Sequence, residues 1–222
     1  MGTTKIDRSR VADTALRLLN EVGLDGLSLR AIARELDVKA PALYWHFKDK
    51  QALLDEMATV MYRRMLDEGL PGPTPERWQD QLVAYNSGLR RALLRYRDGA
   101  KVYGGAKFTG TEHADGLEAH LRTMVDAGFE LWQAVRAGTT AYSYTMGFVS
   151  EEQGVRPMPD QQREGFDIGE RAERLARYPL AAAAGAEIFA NYDERFEDGL
   201  RLIIAGIETR YGAGRSGTVG GQ

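Results

Sequence analysis

Apolar residues recur at helical spacing along nearly the whole chain, and almost no segment alternates apolar and polar residues over the length of a strand. This pattern predicts an all-α protein. The predicted helices cover residues 8–21, 28–36, 40–46, 50–68, 76–96, 98–104, 111–127, 130–152, 166–178 and 187–211. We therefore expect four parts: a small helical head at 1–49, a connecting helix at 50–68, a larger helical body at 76–211 and a disordered glycine-rich tail at 212–222.

Two short predicted helices in the head have the pattern of a helix-turn-helix. Ile32 and Leu36 lie on one apolar face of the first, and Pro41 occupies the first turn of the second, where its missing N–H costs nothing. Leu43 and Phe47, four residues apart, anchor the second helix inward. Such a helix pair typically places its second helix in the major groove of DNA.

The segment RAIARELDVKAPALYWHFKDKQALLDEMA at 30–58 resembles the DNA-binding head of the TetR family of bacterial repressors. RDGAKV at 97–102 and GFVSEEQ at 147–153 extend the similarity into the body. The resemblance is strong over residues 5–60 and collinear to about 211. It implies a homodimeric, cytoplasmic repressor that binds a two-fold symmetric operator in double-stranded DNA and is released by a small organic ligand.

The resemblance places the DNA contacts on the two short helices and just after them. Arg30 corresponds to a base-reading arginine, which can bond guanine with both arms, while Tyr44 and Lys50 correspond to residues that hold phosphates. Trp45 has two open interpretations, a DNA contact or a staple inside the head. The candidate DNA-binding residues are Arg30, Lys39, Ala40, Pro41, Ala42, Tyr44, Trp45, His46 and Lys50.

Two alanines in the second helix indicate an operator that differs in sequence from that of tetracycline-responsive members of the family. Ala40 and Ala42 stand where tetracycline-responsive members of the family carry polar side chains, and alanine neither donates nor accepts a side-chain hydrogen bond. The distribution of charge gives weak support to a DNA-binding head. Residues 1–50 have a small excess of positive charge, with nine Lys and Arg against seven Asp and Glu. The remainder has an excess of negative charge, with 20 Lys and Arg against 25 Asp and Glu.

The body keeps the family framework but changes the residues that hold a tetracycline–magnesium chelate. Leu66, Tyr85, Tyr103 and Ala106 stand where the family supplies histidine, asparagine, histidine and threonine, and only Glu151 is retained. One carboxylate does not make a magnesium site, which requires several oxygen ligands. We expect neither a metal nor a cofactor, and a small aromatic or polycyclic organic ligand in place of the chelate.

Aromatic residues are concentrated in the body and could line such a pocket. The set comprises Tyr85, Tyr103, Phe108, Trp132, Tyr142, Tyr144 and Phe148, of which about half are expected to be ordinary core residues. The candidate ligand-binding residues are Leu66, Tyr85, Leu89, Tyr103, Ala106, Phe108, Tyr142 and Glu151.

Two apolar stripes in the body could form a dimer interface. By pattern alone each stripe could equally face the core of one subunit, but the family pairs the corresponding helices in a four-helix bundle. The candidate interface residues are Leu131, Val135, Tyr142, Phe196, Leu200, Ile203 and Ile207.

Composition narrows the remaining function classes. The chain has no cysteine, which excludes disulfides and thiolate metal sites, and no apolar run approaches the length of a membrane span. His113 and His120 are seven residues apart, which does not match the spacing of a zinc helix, so we expect no enzyme. Two alternatives stay open: a ligand-binding helical protein without specific DNA binding, and a regulator without a small-molecule ligand.

Overall fold

The computed structural model describes residues 7–69 and 76–212. Within these two ranges it consists of eleven α-helices, without strands, which confirms the predicted all-α fold. The helices are α1 Arg8–Gly26, α2 Leu29–Glu35, α3 Pro41–Tyr44, α4 Lys50–Glu68, α5 Trp78–Leu94, α6 Gly99–Tyr103, α7 Glu112–Asp126, α8 Leu131–Val155, α9 Ile168–Arg174, α10 Pro179–Ile188 and α11 Tyr192–Tyr211. None of these helices is long and apolar enough to cross a membrane. The break predicted at 70–75 and all but the first residue of the predicted tail lie outside the described residues.

The head is held by two helix caps and a tight turn. Asp7 caps α1 by accepting a hydrogen bond from the Arg10 N–H at 2.8 Å, and Ser28 caps α2 by accepting one from the Ala31 N–H. Asp37, between α2 and α3, has φ 53° in the left-handed region, which a short polar residue tolerates. The head core is formed by Val11, Ala15, Leu19, Ile32, Leu43 and Phe47.

Helix α1 runs five residues beyond its predicted end because a glycine allows a kink inside it. Gly23 has φ 70°, a conformation that glycine adopts without steric cost, and the helix resumes after it. A side chain there would also crowd the Asp98 carboxylate, since an added Cβ would lie 3.2 Å from its Oδ2. The kink therefore brings the end of α1 against the segment that leads into α6.

Helix α4 has the predicted bounds and is buried on every side over two turns in its middle. Seven consecutive residues, 56–62, are all buried, so the helix has no solvent-exposed face over two turns. It packs against α1 in the head and against α5 and α6 in the body. One continuous apolar core consequently extends from the head through α4 into the body.

The body has a second core, separate from the first. It lies among α5, α7, α8 and α11, and its aromatic contacts include Trp78 edge-on to Phe129 with ring centroids 5.1 Å apart. Its buried residues are Trp78, Leu82, Met124, Phe129, Ala134, Ala137, Ala141, Phe196, Leu200, Ile204 and Ile207. This core fixes the positions of α8 and α11 relative to α5.

One helix of the body was missed, and the bounds of others differ from the predicted ones. Helix α10 begins with Pro179 at its first turn and consists mainly of alanine, so it shows no apolar periodicity that would predict it. The last helix begins at Tyr192, where Asn191 in the left-handed region (φ 49°) sets the start, instead of at 187. Helix α8 extends to Val155, three residues past the prediction.

A buried ion pair ties the body helices together. Arg90 of α5 donates to both carboxylate oxygens of Glu152 on α8, with an Nε–Oε2 distance of 2.9 Å and an Nη2–Oε1 distance of 2.8 Å. Both side chains are less than a tenth exposed. Arg90 also donates through Nη1 to Asp193 at the start of α11, at 2.6 Å. The pair therefore fixes three helices at one point.

Replacing Glu152 with alanine should lower the free energy of unfolding by about 3–5 kcal/mol, because the buried guanidinium of Arg90 would lose its main partner. Its neighbour Glu151 is exposed, and Glu151→Ala should change stability by less than about 0.5 kcal/mol. Urea unfolding of the two variants gives the comparison. Equal losses in both would show that the ion pair does not hold the body.

Candidate functional site

Most of the candidate DNA-binding residues of the head are exposed to solvent. Arg30 is exposed in the first turn of α2, and Tyr44 and Trp45 at the end of α3 are 54% and 90% exposed. Lys39 and Pro41 are also exposed, whereas Ala40, Ala42 and His46 are half-buried. The buried anchors Leu43 and Phe47 fix α3 from behind. The helix-turn-helix therefore has the arrangement that lets side chains meet base edges.

The structure adds to the interpretation of two of these residues. Trp45 cannot staple the head together, because an indole that is 90% exposed packs against almost nothing in the chain. Lys50 donates from Nζ to the Leu24 carbonyl at 2.9 Å, so it closes the end of α1 against α4 as well as carrying a charge on the surface.

The body contains a cluster of aromatic rings around Phe108. Its ring centroid lies 5.2 Å from that of Tyr62 on α4 and 5.5 Å from that of Tyr103 on α6. Tyr85 of α5 and Tyr142 of α8 pack against the same core, as do Ala106 and Met146. We call Tyr62, Tyr85, Tyr103, Phe108 and Tyr142 the aromatic cluster.

The hydroxyl groups of the aromatic cluster are close enough to influence one another. Burial raises the pKa of Tyr103, and the neighbouring Tyr85, Tyr142 and Tyr62 raise it further. Burial likewise raises the pKa of Tyr85, with Tyr62 and Tyr142 adding to the effect. The cluster therefore stays neutral at physiological pH and offers hydroxyls that both donate and accept hydrogen bonds.

Helix α7 contributes two histidines to the interior that sequence reasoning had considered only as metal ligands. The His113 ring lies 5.2 Å from Phe108, which places it beside the aromatic cluster. His113 Nδ1 and His120 Nε2 are buried and have no hydrogen-bond partner among the described residues. Tyr62 was also missed, although it lies one turn before the candidate Leu66 on α4 and a helical phase argument could have found it.

Other candidate ligand residues lie elsewhere. Leu66 is 44% exposed at the end of α4 and does not join the aromatic cluster, and Glu151 is exposed on α8. Leu89 is fully buried behind the cluster. Tyr144 and Phe148 belong to the second core, where Tyr144 stacks on Phe196 with ring centroids 5.5 Å apart. The predicted aromatic set is thus divided between two cores.

Most of the candidate dimer stripe on α11 is buried within the single chain. Phe196, Leu200 and Ile207 are 2%, 0% and 6% exposed in the single chain, because they fill its second core and leave no surface for a partner. Ile203 is half-buried at the edge of that core. On α8, by contrast, Leu131 and Val135 are 60% and 43% exposed, and Leu202 of α11 is 75% exposed.

Hydrogen bonds connect the aromatic cluster to α4. The Lys107 N–H donates to Asp55 Oδ1 at 3.1 Å, and the Thr109 N–H donates to Thr59 Oγ1 at 2.9 Å. The Thr109 hydroxyl donates to Glu56 Oε2 at 3.2 Å. Residues 107–109 include Phe108, so the chain on both sides of that ring is hydrogen-bonded to α4. We call residues 107–109 the cluster loop.

Helix α4 in turn bonds to the head. Glu56 accepts a hydrogen bond from Arg8 Nε on α1 at 2.9 Å through the oxygen that also accepts from Thr109. A second polar contact between head and body lies at the kink of α1, where the Leu24 N–H donates a hydrogen bond to Asp98 Oδ2 at 3.0 Å. Head and body are therefore joined both by the shared core and by polar contacts.

Within residues 7–69 and 76–212, no three histidine, aspartate or glutamate side chains come together as metal ligands. Arginines and acids line a surface cleft of about 560 Å³ between α5, α8 and the start of α11. The aromatic cluster, with its neutral polar groups, is the better candidate site for an organic ligand.

The raised tyrosine pKa values predict that stability falls in alkali. An unfolded tyrosine loses its proton near about pH 10, while a folded one with a higher pKa retains it, so the unfolded state binds fewer protons above that pH. The stabilising contribution is therefore complete below about pH 10 and is lost as pH rises beyond it. The variant Tyr85→Phe with Tyr103→Phe should flatten this decline in urea unfolding, whereas Tyr178→Phe at an exposed site should not. Equal slopes in all three proteins would contradict the assignment.

Comparison with known proteins agrees with this architecture. Residues 11–57 match the family described as bacterial regulatory proteins, tetR family, and residues 70–211 match the tetracyclin repressor-like C-terminal domain. The chain is 38% identical over 211 residues to the class A tetracycline repressor from transposon 1721 of Escherichia coli, covering 93% of both proteins.

Solved structures give the same result. A possible TetR family transcriptional regulator from Streptomyces coelicolor A3(2) is 36% identical, with a TM-score of 0.76 over 91% of this chain and 99% of that one. The Streptomyces coelicolor TetR family protein ActR, solved in complex with actinorhodin, is 26% identical, with a TM-score of 0.77 over 97% of this chain and 100% of that one. The chain belongs to the TetR family and is a ligand-responsive, DNA-binding transcriptional repressor.

Proposed function

We propose that this repressor acts as a homodimer that binds a two-fold symmetric operator and leaves it when a neutral aromatic molecule occupies the aromatic cluster. The observation that carries the proposal is the direct connection of that cluster to α4, the helix on which the head is packed. In this scheme residues 1–49 read DNA, 50–68 transmit the signal, and 76–211 bind ligand and partner. The proposed role is that of a regulator and not of an enzyme. The proposed place of action is the cytoplasm.

On the head, Arg30 reads a base pair and the exposed residues around α3 set the register. Arg30 is free of salt bridges to neighbouring helices in the described structure, so its guanidinium can reach guanine O6 and N7. Tyr44 and Lys50 would hold phosphates, and Trp45, Lys39 and Pro41 would approach the groove. Ala40 and Ala42 leave room for a close approach but add no polar reading of bases.

A dimer interface is best supported on the exposed sides of α8 and α11. Leu131 and Val135 of α8 and Leu202 of α11 expose large apolar side chains, and Gly147 and Gly206 have open space where a Cβ would be. Gly206 lies one turn after Leu202 on α11, and a small residue beside an exposed apolar one allows helices to approach closely. The proposed interface therefore uses the face of α11 that carries Leu202, and not the face that carries Leu200.

The ligand proposal rests on the neutrality of the aromatic cluster. Rings from α4, α5, α6 and α8 supply stacking surface, and tyrosine hydroxyls supply hydrogen bonds. A magnesium–tetracycline chelate would require the histidine, asparagine and threonine groups that Leu66, Tyr85, Tyr103 and Ala106 do not provide. A ligand that displaces Phe108 would move the cluster loop, shift α4 and change the separation of the two heads.

Specific DNA binding should depend on Arg30. Selection from random double-stranded DNA should yield a two-fold symmetric site, and Arg30→Ala should cost about 1–3 kcal/mol on it, mostly at one base pair in each half-site. Lys50→Ala should weaken binding to all sequences and flatten its salt dependence. If no site is enriched, the chain is a ligand-binding protein without specific DNA recognition.

Dimerisation should depend on Leu202 and not on Leu200. Leu202→Glu places a charge in the proposed interface, so light scattering should give the mass of a monomer while helical content is retained. Leu200→Glu buries a charge in the chain's own core and should unfold the body instead. A folded dimer of the Leu202→Glu protein would contradict this interface.

Tetracycline with magnesium should not be a tight ligand. Each buried polar group of the chelate left without a partner costs about 1–3 kcal/mol, so several together abolish tight binding. Calorimetry with tetracycline, with and without magnesium, measures this. Submicromolar, magnesium-dependent binding would show that the four exchanged positions do not determine the ligand.

A further inference from the structure

Two buried imidazole nitrogens beside the aromatic cluster lack partners. His113 Nδ1 and His120 Nε2 are covered by protein, and neither has a hydrogen-bond partner in the described structure. Buried polar groups are hydrogen-bonded in the great majority of cases, and each exception requires an explanation. Because His113 and His120 are two turns apart on α7, they lie on the same side of that helix.

Two glycines let neighbouring side chains pack closely on this side of α7. A Cβ at Gly138 of α8 would lie 2.9 Å from His120 Nε2, and a Cβ at Gly116 of α7 would lie 2.9 Å from the Tyr62 hydroxyl. Tyr142 follows Gly138 by one turn on α8 and so lies on the same side of it. His120 Nε2 therefore lies against α8 and the Tyr62 hydroxyl against α7, while the His113 ring lies beside Phe108, so these groups meet at the packed junction of α7, α8 and α4.

His120 and the tyrosines of this region are neutral and can each donate or accept. Burial lowers the pKa of His120, so its imidazole carries no charge at neutral pH. A neutral imidazole has one donor and one acceptor nitrogen, and a tyrosine hydroxyl has both functions. The carboxylate nearest to His113 in sequence, Glu112, is engaged by Arg63 at 2.7 Å. This chemistry suits hydroxyl groups better than an ammonium or a carboxylate.

We infer that His113 and His120 are ligand-contacting residues, and that the ligand is a neutral fused-ring aromatic compound that carries free hydroxyl groups. The inference rests on the proposed function and gives its ligand a chemical class. Ring stacking on Phe108 and Tyr103 supplies affinity for any flat aromatic molecule. Hydrogen bonds to the two imidazoles select the hydroxylated ones.

The test uses β-naphthol and its methyl ether, which share one ring system and differ in the hydroxyl proton. The chain has three histidines, so imidazole nitrogen NMR signals of the full-length dimer can be assigned with single substitutions. His46, in the head, serves as the internal reference. On addition of β-naphthol, the signals of His113 and His120 should move and that of His46 should not.

The affinities should separate the two compounds. We expect β-naphthol to bind about tenfold more tightly than the ether, which corresponds to about 1.4 kcal/mol. His120→Leu should reduce the preference, His120→Gln should restore part of it, and Glu118→Gln on the exposed side of α7 should leave it unchanged.

Equal affinity for the two compounds, with unmoved signals of His113 and His120, would overturn the inference and leave the aromatic ligand of the proposed function standing. A preference that survives both His113→Leu and His120→Leu would also overturn it. If neither compound binds, both the inference and the aromatic ligand are wrong.

Discussion

The burial of α4 on all sides is the constraint on which the other parts of this repressor depend. Its apolar residues fill the head core on one side and the core of the aromatic cluster on the other, and each such side chain contributes about 1.5–3 kcal/mol when fully buried. A close-packed helix of this kind cannot deform gradually. A change on its body side must therefore either be absorbed there or move the helix as a unit.

Polar contacts decide which changes reach the head. Glu56 is 5% exposed and accepts from Arg8 of the head and from Thr109 of the cluster loop, so one carboxylate joins the two. A ligand that repositions Phe108 changes the geometry of this bond and of the neighbouring bond to Thr59. Because the coupling is an equilibrium property, DNA bound at the head must weaken ligand binding by the same factor as the ligand weakens DNA binding.

Much of the fold could be predicted because local signals agreed with it. Pro41 in the first turn of its helix and periodic apolar residues define the head and α4. Periodicity states which residues share a face but not what that face contacts, and so Leu200 was assigned to an interface although it fills the core. Helix α10 has no periodicity to detect.

The residues of the candidate pocket could also be predicted only in part, because sequence patterns do not report tertiary contacts. Tyr85, Tyr103, Phe108 and Tyr142 were predicted as pocket candidates and do pack in one core, the first two from alignment with the family and the other two from the concentration of aromatic residues in the body. His113 and His120 carried no motif, and only tertiary packing shows that their nitrogens are buried without partners. Burial of a polar atom depends on elements far apart in the chain, which spacing along one helix cannot report.

Hydrogen exchange in a variant with an emptied aromatic cluster tests the connection between pocket and head most directly. Phe108→Ala removes the central ring of the cluster, and Phe148→Ala removes a comparable ring from the second core as the control. We expect Phe108→Ala to accelerate amide exchange in α4 and in α1 of the head, beyond the change that Phe148→Ala produces there. Exchange that accelerates only around residues 103–113 would show that the cluster is not coupled to the DNA-binding head.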